Sequence, residues 1–83
     1  MFIHVIEAIY VRDYTIWIKL DNGAHGEIDL SSELWGEVFE PLREIDAFKR
    51  FHVDIEINTI VWENGADIAP DFLYSLLQNK KAA

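Results

Sequence analysis

The chain has 83 residues, just over half of them apolar, and fifteen acidic against seven basic side chains give a formal net charge of −8. This length holds one domain, residues 1–83, around one core, and the absence of cysteine excludes a disulfide framework, a thiolate metal site and a cysteine nucleophile. No stretch approaches the ~18 consecutive apolar residues of a membrane span, and His4 and Glu7 interrupt the amino-terminal apolar residues, so no membrane association and a cytoplasmic setting are expected.

Residues 2–12 read as a strand, with Ile3, Val5, Ile9 and Val11 on one face, Glu7 out of pattern there, and Phe2, Ile6 and Tyr10 on the other. After a turn at Arg12-Asp13, the run from Tyr14 to Leu20 alternates with period two. This predicts Tyr14, Ile16, Ile18 and Leu20 inward and Thr15, Trp17 and Lys19 outward. Asp21-Asn22-Gly23 predicts a tight hairpin with positive φ at both Asn and Gly. The chain then returns with Ala24, Gly26, Ile28 and Leu30 inward, so three consecutive strands form an antiparallel meander.

The period changes over residues 31–50. Leu34, Val38, Leu42 and Ile45 recur at helical spacing, and Glu33, Glu37, Glu40 and Glu44 occupy a second stripe. Pro41 clashes with a continuous helix, so two pieces are expected, near 33–39 and 42–49, with Ser31 and Ser32 capping the first. Alternation resumes with Phe51, Val53, Ile55 and Ile57 against His52, Asp54 and Glu56, and a kink or bulge at Asn58-Thr59 precedes Ile60-Val61-Trp62. Asn64-Gly65 predicts a second tight turn. Pro70 suits the first position of a helix over 70–79, with Phe72, Leu73, Leu76 and Leu77 on one face, Asp71 near its positive end and Lys80-Lys81 past its negative end. The expected fold is α+β: an antiparallel sheet of about four to five strands, short helical pieces near 33–49 and a C-terminal helix.

Little here carries catalysis. His4, His25 and His52 lack metal-ligand spacing. Ser31, Ser32 and Ser75 have no flanking glycines of the kind a nucleophile elbow needs, and Gly23-x-x-Gly26 is a hairpin rather than a phosphate loop. No catalytic residue, cofactor or metal is assigned, and the chain is read as a non-enzyme.

Charge is the stronger signal. Between residues 27 and 46, Glu27, Asp29, Glu33, Glu37, Glu40, Glu44 and Asp46 stand against Arg43 alone. Such a field repels a phosphate backbone, which argues against direct nucleic-acid binding by this domain, and complements a basic protein. The bland reading is a solvated helix face; the scarcity of interspersed lysine weakens it. Glu33, Glu37, Glu40 and Glu44, with the outward Trp17, are the candidate partner-binding residues. Exposed strand edges beside Trp17 also allow a homodimer. The alternative to the interaction module, ahead of the homodimer, gathers Trp62, Asn64, Gly65, Asp67, Pro70 and Asp71 around one turn. Trp62 there is either an aromatic wall beside two carboxylates, for a small ligand or metal, or part of a turn-and-cap unit. In the latter, Gly65 serves backbone geometry, Asp67 bonds local amides and Asp71 starts the helix.

Four patterns carry a family resemblance: Asp13-Tyr14-Thr15-Ile16-Trp17-Ile18; Gly23 followed by Ile28-Asp29-Leu30-Ser31; Val38-Phe39-Glu40-Pro41-Leu42 with Phe48; and the run from Thr59 to Tyr74 that contains Trp62-Glu63-Asn64-Gly65-Ala66-Asp67 and Pro70-Asp71. From about residue 5 to residue 76 the chain resembles the DUF2442 domain, a bacterial domain of unknown function. Glu63 stands where members commonly have proline. The resemblance implies a small α+β fold, a bacterial cytoplasmic setting and no established catalytic residue. It also implies a partner: members are often encoded beside a small protein of the DUF4160 family, in a layout resembling toxin–antitoxin pairs. The helix-turn-helix domain that follows in some members is not expected within these residues.

Overall fold

A computed structural model describes residues 3–82, with side chains through Asn79; Phe2 and the side chains of Lys80 and Lys81 lie outside the described residues. Strands β1 (Val5–Arg12), β2 (Thr15–Leu20) and β3 (His25–Asp29) form an antiparallel meander in the order β1-β2-β3. The central strand alternates as expected, burying Ile16, Ile18 and Leu20 completely. β1 does not keep its expected parity. Val5 faces Leu20 and Glu7 faces Lys19, so Ile6 is an extra residue at a bulge, and Val11 is a second between Tyr10 and Arg12. The bulge at Ile6 reverses the side chains that follow: Ala8 and Tyr10 pack against the core while Ile9 and Glu7 turn outward. Glu7 breaks the pattern in sequence because the pattern shifts just before it.

The meander turn and the turn after the last strand are the same object. Leu20-Asp21-Asn22-Gly23-Ala24 and Trp62-Glu63-Asn64-Gly65-Ala66 share an acid-Asn-Gly-Ala pattern. Leu20 N donates to Ala24 O at 2.8 Å and Gly23 N to Leu20 O at 3.0 Å; Trp62 N donates to Ala66 O at 2.8 Å and Gly65 N to Trp62 O at 2.9 Å. Each Asn Oδ1 accepts from the Ala amide two residues on, at 3.0 and 3.1 Å. Gly23 and Gly65 have φ of 91° and 88°, whereas neither Asn has positive φ. These are three-residue loops with glycine in the bulge position, not two-residue turns with both Asn and Gly left-handed, because the loop closes on Ala24 and Ala66 rather than on the glycines.

Strands β4 (Phe51–Asp54) and β5 (Thr59–Trp62) form a separate two-stranded sheet, Phe51 facing Trp62 and Asp54 facing Thr59. The five strands therefore divide into three and two, and the expected kinked strand is a hairpin. Asp54 makes the reversal: its Oδ1 accepts from Glu56 N at 2.8 Å, its carbonyl accepts from Asn58 N at 2.7 Å, and Asn58 adopts φ 61°. Ile55 lies at the tip, 85% exposed, instead of continuing the inward face. Val5 N donates to Asn58 O, which joins the two sheets.

The expected helix over 33–39 is not formed. A 3-10 turn covers Ser31–Glu33, another covers Glu40–Arg43, and one α turn, α1, spans Ile45–Phe48. Gly36 has φ 90° and Glu44 is extended at φ −73°, ψ 120°, so no helical ladder runs through. The carbonyls are bound from elsewhere: Arg43 Nε donates to Leu34 O at 2.7 Å, Asn64 Nδ2 to Val38 O at 2.8 Å, and the Tyr14 hydroxyl to Arg43 O. Neither serine caps the first turn; instead Asp29 Oδ1 accepts from Ser31 N at 2.8 Å.

Helix α2 (Pro70–Ala82) starts at the expected proline and runs past residue 79, so Lys80 and Lys81 belong to it. It buries Leu73 and Leu77, with Leu77 closing on β3 at Gly26. Phe72, expected on the buried face, is 41% exposed. Phe48 centres the aromatic core, with ring centroids 5.3 Å from Tyr14, 5.9 Å from Trp62, 6.2 Å from Tyr10 and 6.4 Å from Phe51. No helix among the described residues is long and apolar enough to cross a membrane.

Candidate functional site

The irregular segment after β3 and the approach to α2 leave a groove of about 360 Å³ between them. Glu33, Trp35 and Phe39 line one side, and Asp67, Ile68, Ala69 and Phe72 the other. Its apolar walls stand open to solvent: Trp35 is 67% exposed. The groove exists because of the departures from helical expectation described above. With Gly36 and the carbonyl clamps from Arg43 and Asn64 in place, Leu34 is buried while its neighbour Trp35 points into the open. A helix over 33–39 would have set Leu34 and Val38 together on one face; here Val38 is exposed.

The sequence-derived candidates fall into different places. Glu33 is half-buried beside the groove and accepts from Ser32 Oγ at 3.2 Å. Glu37, Glu40 and Glu44 are exposed, and among the described residues none of them forms an ion pair or a side-chain hydrogen bond. They do not share a helix face, since a 3-10 turn and an extended residue separate them. Trp17 is elsewhere. It lies half-buried on the outward side of β2 between Ile9 and Glu27, tilted against His25 with ring centroids 6.1 Å apart, and it does not line the groove.

The turn candidates also separate. Trp62 is 2% exposed, with its indole N–H donating to Phe48 O at 2.7 Å and its ring against Phe39, Phe48 and Phe51. It is core and offers no wall to a ligand. Asn64 and Gly65 form the turn, and Asn64 Nδ2 clamps Val38. Pro70 begins α2. The two carboxylates do not converge: Asp67 lines the groove, whereas Asp71, in the first turn of α2, lines a different depression with His4 and Asn58. No hydrogen bond or ion pair reaches the Asp67 carboxylate among the described residues, so it does not bond local amides. The aromatic side chains that line the groove are Trp35, Phe39 and Phe72, not Trp62.

Elsewhere, His4 Nδ1 lies 3.4 Å from Asp21 and His25 Nδ1 lies 3.2 Å from Gly23 O, while His52 is exposed on β4. No group of three or more potential metal ligands gathers among the described residues. Sequence reasoning did not bring Trp35 and Phe72 to one groove; the acid-Asn-Gly-Ala turn was a signal, since its Asn64 holds Val38 in the segment that carries Trp35.

Together these features define a small α+β domain that carries an exposed aromatic groove in an acidic surround. The chain matches, over residues 5–79, the family described as "Protein of unknown function (DUF2442)", and it belongs to that family. No curated protein and no solved structure matches it.

Proposed function

We propose that this domain is a non-enzymatic protein-interaction module, the antitoxin-like partner of a small basic protein encoded nearby, of the DUF4160 type and in a bacterial cytoplasm. One observation carries the reading. Glu37, Glu40 and Glu44 are exposed and, among the described residues, without ionic partners, on the same segment that exposes Trp35 and Val38. Unpaired like charge raises the energy of the free domain, and a basic partner relieves it. Apolar side chains within the same patch supply the desolvated centre that a charged rim lacks.

Co-expression with the neighbouring gene product tests this. The expected result is a complex that weakens as salt approaches about 0.5 M, where the screening length falls well below ~10 Å. Replacing Glu37, Glu40 and Glu44 together by Gln weakens it likewise. An acidic neighbour, or a complex indifferent to salt and to these substitutions, overturns the proposal.

A further inference from the structure

We propose that the groove between Trp35 and Phe72 is an arginine-acceptor site, taking an arginine side chain and an adjacent apolar residue from a partner segment. The inference rests on the interaction reading above and names the chemistry that the groove selects. Its size sets the first limit. At about 360 Å³ it is near the lower end of ligand pockets, room for one or two side chains rather than an enclosed metabolite.

Its lining sets the second. Exposed Trp35 presents an aromatic surface, and two acidic residues, Glu33 and Asp67, line the groove on opposite sides. The Asp67 carboxylate has no hydrogen-bond or ion-pair partner among the described residues, while its backbone pairs with Val61. An exposed indole in a groove lined by two acidic residues suits a planar guanidinium, which stacks on the ring and donates in several directions at once; a lysine ammonium does only part of this. Phe39, Ile68 and Phe72 complete an apolar lining, which suits the aliphatic stem of the arginine and a neighbouring apolar side chain. Charge complementarity excludes an acidic occupant, for the −8 chain holds six of its excess negative charges between residues 27 and 46.

The test needs no natural partner. The peptide acetyl-Leu-Arg-Leu-amide is titrated into the ¹⁵N-labelled domain, with the citrulline and glutamate versions as controls. The expected result is movement of the Trp35 indole N–H signal and of the Asp67, Ile68 and Ala69 amides with the arginine peptide alone. Trp35→Ala weakens that binding by about tenfold, and Asp67→Asn by several-fold; Trp35 is mostly exposed, so its removal leaves the fold intact. No movement at the groove, or equal movement with citrulline, overturns the assignment. That failure leaves the acidic-segment reading standing, because the latter is judged on the whole partner and its salt dependence. Conversely, arginine-peptide binding at the groove supports the assignment even where the neighbouring gene product does not bind.

Discussion

Replacing Gly65 by alanine isolates backbone conformation from packing. Gly65 has φ +88°, and a Cβ built there meets no atom within 4 Å. The whole penalty is therefore the left-handed backbone, about 1–2 kcal/mol for an L-residue. Lower freedom of the unfolded chain offsets about 0.4–1 kcal/mol of that, which leaves a net loss near 1 kcal/mol. For a domain of this length that lowers the melting temperature by about 4–8 °C, a considerable share of a small domain's margin. Gly23→Ala, with φ +91° and the same open space, should lose the same amount, since the two turns share one hydrogen-bond pattern. Gly65→Asn should lose less, because asparagine visits this region more readily. Thermal unfolding by circular dichroism, with urea titration for the free energy, measures all three. An unchanged melting temperature for Gly65→Ala, or an asparagine variant no better than the alanine one, refutes the reasoning.

Two further substitutions probe the buried polar contacts that hold the groove's supports. Trp62→Phe removes the donor to the buried Phe48 carbonyl and should cost about 1–3 kcal/mol before any packing loss; a urea midpoint unchanged from the parent would show that this bond does not anchor the ring. Thr59→Val keeps the shape but strips Ile68 O of the hydroxyl that donates to it at 2.5 Å, with a similar expected loss of about 1–3 kcal/mol. Thr59→Ser should retain most of the stability, and equal stability of valine and threonine at this site would contradict the assignment.

How much was legible beforehand depended on how local the cause was. The inward face of β2 is buried without interruption and continues through Ile28 and Leu30 at the end of the meander, so Ile16, Ile18, Leu20, Ile28 and Leu30 announce themselves by period two alone. The turns at Asn22-Gly23 and Asn64-Gly65 were legible in place but not in type, because loop length is set by which residues resume pairing. In β1 the bulge at Ile6 left no mark except the misplaced Glu7. The hairpin at residues 55–58 was hidden because Ile55 and Ile57 prolong the apolar alternation while standing out in solvent.

The sequence by itself determined the antiparallel meander, the acidic bias of residues 27–46, the proline start of α2 and the family, since each rests on neighbouring residues or on composition. Only the tertiary structure decided the course of residues 31–50 and, with it, the groove. Helical spacing of Leu34, Val38 and Leu42 is a real local signal, yet those backbone carbonyls have stronger claimants. Arg43 takes Leu34 O, and Asn64, twenty-six residues away, takes Val38 O. Once a distant side chain satisfies a carbonyl, the helical hydrogen bond that periodicity presupposes is no longer required. Trp35 is exposed opposite Phe72 for that reason, and no reading of periodicity within the segment contains it.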